Sequence, residues 1–161
     1  MRRIAFVLIS AVTTVVMGAT AALADSPHFI FATNSIDNMG ALVTSFKDAG
    51  LGTGTSSIAI TLSAQASATY QCFDKAGNKP QGVPKSAGPT ALIGSGNFPV
   101  RHGQATGSLS VGPVPSPISC PSGQRLFLES VTYTDTFVSD ATGNTEHATQ
   151  DPVTATLHIP A

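Results

Sequence analysis

Four histidines, His28, His102, His147 and His158, and nine acidic residues supply most of the acid–base chemistry open to this chain, and their spacing decides what they can do. A zinc hydrolase needs two or three His or carboxylate ligands that converge, usually through H-E-x-x-H, whereas these histidines stand singly. His147 has Glu146 beside it and Asp151 four residues on, a set able to hold a proton or a weakly bound metal. In a strand–turn segment that spacing does not fix one face, so each histidine is read as a solvated or capping side chain. Glycoside hydrolysis requires two carboxylates facing one sugar ring, and Glu129 and Asp135 are the candidates. Alternation places both on a solvated strand face, where charge discourages edge pairing. The G-x-S-x-G elbow of a serine hydrolase is absent, and Gly94-Ser95-Gly96 and Gly107-Ser108 read as turn and strand glycines. Asp140-Ala-Thr-Gly-Asn144 lacks the alternating acids and closing Glu of a calcium loop, and Gly50-Leu-Gly-Thr-Gly54 lacks the Lys and following helix of a phosphate loop. No catalytic, metal-binding or cofactor-binding residue is assigned, and the expectation is a non-enzymatic protein without a cofactor.

Charge narrows the partners. Only 11% of residues are charged, 8 Lys+Arg against 9 Asp+Glu, which leaves no electrostatic footprint suited to nucleic acid. With 42% apolar residues the chain has the composition of a folded domain rather than a disordered one. Residues 1–24 carry the three parts of a secretory signal: Arg2 and Arg3, an apolar run from Ile4 to Val16, and an ending Ala22-Leu23-Ala24. Cleavage is expected before Asp25, which leaves residues 25–161 as one domain with no membrane span. It removes two arginines and no acid, so the net charge moves from -1 to -3. Both cysteines, Cys72 and Cys120, lie after the cleavage point, and in an oxidising compartment two cysteines of a small domain pair. The bridge would close a loop of about 50 residues, for which chain entropy gives about 4 kcal/mol.

The elements that must position these groups are strands. The exported part is rich in Ser and Thr, and the chain carries 15 Gly and 11 Pro, which favours short strands and turns over helices. Ile58, Ile60, Leu62, Ala64, Ala66, Ala68, Tyr70 and Cys72 share one parity, with Ser, Thr and Gln filling most of the other, as in a half-buried strand. Further strands are expected at His28 to Thr33, Ala41 to Lys47, Thr90 to Phe98, Gln104 to Val111, Arg125 to Val138 and Val153 to Ile159. Between Leu128 and Val131 the apolar parity changes, which predicts a β-bulge near Glu129 and Ser130, with Val131, Tyr133 and Phe137 inward after it. Asp48 to Gly54 and Asp140 to Asn144 read as hairpin ends, and the proline-dense segments Asp74 to Pro89 and Gly112 to Gln124 read as loops. About seven strands with such turns predict an all-β, two-sheet Greek-key sandwich, immunoglobulin-like in outline, with a small barrel as the alternative. Without Trp, and with Cys120 in a proline-rich loop, the bridge should staple one end rather than the centre.

The strings Phe46-Lys-Asp-Ala-Gly-Leu-Gly52, Ala68-Thr-Tyr-Gln-Cys72 and Cys120-Pro-Ser-Gly-Gln124 resemble a group of small secreted bacterial proteins with one disulfide and no established activity. The resemblance spans most of residues 25–161. It implies a fold and a disulfide, and no substrate, cofactor or catalytic residue.

Function is therefore expected to lie at the surface, as a secreted interaction or envelope-associated module. Laid antiparallel, the strands gather Lys75, Lys79, Lys85 and Arg125 at the stapled end, against Asp74 and Asp37, and Asp48, Asp140 and Glu146 at the other. The basic end suits an anionic envelope polymer or an acidic protein partner. The plainer reading is that these lysines keep a loop solvated. A small secreted hydrolase and a carbohydrate-binding module are the alternatives. The first needs a histidine against a carboxylate in a pocket. The second needs exposed aromatic platforms, of which 2 Tyr, 8 Phe and no Trp offer few.

Overall fold

The structure is a computed structural model that describes residues 26–161, so the expected signal segment lies outside the described residues. Eight strands run in chain order: β1 (His28–Ile36), β2 (Leu42–Ala49), β3 (Ser57–Asp74), β4 (Pro80–Pro99), β5 (Gln104–Val111), β6 (Gln124–Asp140), β7 (Thr145–His147) and β8 (Val153–Pro160). They form a three-stranded sheet, β1-β2-β5, and a five-stranded sheet, β4-β3-β6-β7, in which β8 also pairs with β6. The fold is the expected all-β sandwich, with the three-residue β7 as an additional strand. At the β1 edge the layers are tied together, because Asn34 N–H donates to Thr149 O at 3.1 Å and Thr149 N–H to Ala32 O at 2.9 Å.

β3 is the spine. Its alternation survives intact: all eight residues of the apolar parity from Ile58 to Cys72 are buried, and none of the opposite parity is. The strand pairs along nearly its whole length with β4 on one side and β6 on the other. Its inner face meets Leu42, Phe46, Val131 and Tyr133 in one core. The five-stranded sheet outreaches the shorter one, and beyond that reach the proline-rich loop 112–123 covers it. Val114 of this loop is buried and accepts the Tyr70 hydroxyl hydrogen bond, and Cys120 joins Cys72 across a sequence separation of 48. The disulfide staples one end, as the position of Cys120 in a loop suggests.

Three expectations need correction. The segment Asp74 to Pro89 is not all loop, because β4 begins at Pro80. β4 is an edge strand, and an edge tolerates Pro80, Pro84 and Pro89 because a missing N–H there costs no ladder bond. The Asp48 to Gly54 segment does not end a hairpin; it crosses from β2 in one sheet to β3 in the other, and Asp48 itself is a ladder residue paired with Phe29 and Ala105. The bulge at Glu129 is present, since Thr69 pairs with Ser130 and Tyr70 with Leu128. A second irregularity follows, where Ser63 pairs with Phe137 but Gln65 with Thr134, and Asp135 takes φ 52. This extra residue flips the parity again. Phe137 is turned outward at 37% exposed, and Thr136, Val138 and Asp140 are turned in.

Candidate functional site

The four cations named from sequence share one end. Lys75 and Lys79 lie on the β3–β4 turn, Lys85 pairs in register with Tyr70, and Arg125 with Phe73. All four are exposed, and among the described residues none makes an ion pair. Asp74 shapes the turn that carries the two lysines. Its Oδ1 accepts the Asn78 N–H at 2.9 Å and its carbonyl accepts the Gly77 N–H at 2.8 Å. These backbone donors, Asn78 foremost, and the nearby Lys79 hold the Asp74 carboxyl below its ordinary range.

Beside this turn lies a cluster that the sequence did not reveal. His158 donates from Nδ1 to Glu129 Oε1 at 2.8 Å and from Nε2 to Gly77 O at 3.0 Å. Two acceptors require two ring protons, so the arrangement is that of an imidazolium. The Glu129 hydrogen bond raises the His158 pKa above 6.5 against the cost of desolvation, and the Gly77 carbonyl adds a lesser push in the same direction. The ring stacks on Phe127 at 4.2 Å and meets Phe73 edge-on at 4.7 Å, while the Arg125 guanidinium lies 5.8 Å from the Phe127 centroid. The disulfide end thus gathers five positive groups around two carboxylates.

A second His–carboxylate pair sits across the molecule. His147 Nε2 lies 3.1 Å from Asp151 Oδ2, which also accepts the Thr136 N–H at 2.6 Å. The spacing that could not fix one face does bring these two together, because the β7–β8 connection doubles back; Glu146 pairs with Val138 and belongs to neither contact. Neither pair opens onto a cavity among the described residues, and His28 and His102 meet no carboxylate there.

The end opposite the disulfide is less acidic at its surface than the sequence suggests. Asp48 is 0% exposed and Asp140 7%, and the β4–β5 hairpin places Arg101 and His102 at the same end. Asp48 reaches the interior from β2 and Asp140 from β6, so the two buried carboxyls face each other between the sheets, near enough for the charge of one to act on the other. Asp140 is well served: its Oδ1 accepts the Thr142 N–H, the Thr142 hydroxyl and the Asn144 N–H, and its Oδ2 accepts Asn144 Nδ2. Burial works against its charge, but these donors outweigh it and hold Asp140 below the usual carboxylate range. Asp48 has no partner in normal hydrogen-bond geometry for either oxygen, although the Ala49 N–H lies close enough to favour its anion slightly. Burial first, and then the Asp140 charge, push it up to about 6.

No family model, no curated protein and no solved structure matches the chain.

Proposed function

We propose that this protein is a secreted, non-enzymatic β-sandwich module that works through its surface, and that its disulfide end contacts an anionic polymer of the cell envelope. The observation that carries the reading is the convergence of Lys75, Lys79, Lys85 and Arg125, all exposed and none ion-paired among the described residues, at one end of a chain that has few charges elsewhere. In so weakly charged a molecule such a cluster dominates the long-range field and orients an encounter with a polyanion. The turn that presents Lys75 and Lys79 is held by Asp74 and by the His158 bond to Gly77, so the cations are offered from a fixed frame rather than a free tail. The Cys72–Cys120 bond supports an oxidising compartment. Among the described residues no helix is long and apolar enough to cross a membrane.

Replacing Lys75, Lys79 and Lys85 with Gln tests this directly. Retention of the protein on isolated envelope should fall and lose its salt dependence, while the thermal midpoint stays nearly unchanged, because exposed lysines without partners contribute little stability. Undiminished retention of the triple variant at low salt would place the contact elsewhere.

A further inference from the structure

The second bulge of β6 has brought a carboxyl into the core at the place where another already stands. Without the extra residue at Asp135 and Thr136, the inward parity of Val131 and Tyr133 would continue to Ser139 and leave Asp140 facing solvent. With it, Asp140 enters the space between the sheets opposite Asp48, which the strict alternation of Leu42, Thr44, Phe46 and Asp48 turns inward from the other layer. Two ionised carboxylates facing each other out of water repel strongly, and neither can serve the other as a donor. One proton resolves both problems. It removes one charge, and it supplies the O–H that the pair lacks.

We propose that Asp48 and Asp140 share a single proton carried by Asp48, whose hydroxyl donates to the Asp140 carboxylate, and that this proton latches the two sheets together at the end opposite the disulfide. The assignment of the proton follows from the donors on the page. Asp140 receives four hydrogen bonds that favour its anion, whereas Asp48 is wholly buried without one of normal geometry. The shift of Asp48 to about 6 agrees with this order.

The surroundings leave these two groups to set the behaviour. From β1, His28 is the titratable neighbour of Asp48 and the weakest of the influences on it, and its Nδ1 is engaged with Ser26 O at 2.7 Å. The β5 partner Ala105 and the inward β3 residues Ile58 and Ile60 carry no ionisable group, nor does the 50–56 crossover. Arg101 and His102 are exposed on the β4–β5 hairpin, and Glu146 lies on β7 beside Val138. The latch does not depend on the polymer reading, since it lies at the other end of the molecule.

The sign follows from the raised pKa. Asp48 binds its proton more tightly in the folded chain than in the unfolded one, so the stabilisation is complete below pH 4 and is lost as pH rises through about 6. The experiment uses the intact oxidised protein and Asp48→Asn, which keeps a donor toward Asp140 but cannot ionise. Between pH 4 and 7 the thermal midpoint of the native chain should fall by about 10 °C relative to that of the variant. Carboxyl carbon NMR of the native protein gives an answer that does not require the variant to fold: the Asp48 signal should titrate with a midpoint near 6. A midpoint at or below that of an ordinary aspartate would overturn the latch. So would calcium chloride at pH 8 raising the midpoint of the native chain and not of Asp48→Asn, since the pair would then hold a cation rather than a proton.

Discussion

Glu129 accepts the Nδ1–H of His158 at 2.8 Å because it is the residue by which β6 outruns β3: Thr69 pairs with Ser130 and Tyr70 with Leu128, so Glu129 has no ladder partner on that side. Freed from the ladder, its side chain reaches the neighbouring strand. The contact binds β6, β8 and the β3–β4 turn into one unit, since the other ring nitrogen holds Gly77 O.

The titration of His158 should report this contact. Its folded pKa lies above 6.5, so the stabilisation it brings is fully present below 6.5 and is lost as pH rises through the folded value. Proton NMR of the imidazole should give a midpoint above that of a free histidine. Glu129→Gln should lower it, because the first cause of the shift is the bond to that carboxylate. An unchanged midpoint in the variant would detach the shift from Glu129.

The disulfide closes a long loop over the part of the five-stranded sheet that the shorter sheet does not cover. Replacing Cys72 and Cys120 with Ser together should lower the unfolding free energy by about 2–4 kcal/mol, measured by urea denaturation. Neither sulfur should react with a thiol reagent, in the folded or the unfolded chain, until a reductant is added.

Gly107 is small because Phe98 lies over it. A Cβ built there would stand 2.4 Å from the Phe98 ring, which itself meets Phe46 edge-on at 4.8 Å. Gly107→Ala should therefore displace the aromatic pair and cost about 1–3 kcal/mol in chemical denaturation. Loss of near-ultraviolet dichroism from the phenylalanines should accompany it.

Tyr133 is buried and donates its hydroxyl to Gly40 O at 2.7 Å. Tyr133→Phe leaves that carbonyl without the bond and should cost about 1–2 kcal/mol. Burial pushes the phenol up to about 12, so folding contributes a stability that is kept below pH 10 and lost as pH climbs toward 12. Ultraviolet titration at 295 nm should show neither tyrosine ionising in the ordinary phenol range, since burial raises Tyr70 as well, with Tyr133 ionising near 12 or only on unfolding.

What could be read from the residues, and what could not, divides along physical lines. β3 was legible because eight apolar positions repeat with period two, and the Glu129 bulge because Leu128 and Val131 differ in parity. The second bulge has no such marker. Phe137 supplies an apolar residue at the expected inward position, and only the register shows that it faces out. Asp48 looked like turn chemistry because Gly50 and Gly52 follow it closely, yet the ladder continues to Ala49. The start of β4 was hidden by its prolines, which argue against a central strand but not against an edge. The pairing of His158 with Glu129 needed the knowledge that β8 lies beside β6, and strand order is not written in alternation.

The spine strand acquires its two neighbours from very different distances along the chain. β3 and β4 are consecutive, separated only by the short turn that bears Lys75 and Lys79, so their ladder closes a small loop and then lengthens one pair at a time. β6 lies beyond β5 and the 112–123 loop, and its pairing with β3 must meet a far larger closure entropy. The β3–β4 hairpin is therefore expected to form first, with one edge of β3 waiting for a distant partner. In pulse-labelling hydrogen exchange during refolding, amides of β3 that bond to β4 should gain protection before those that bond to β6.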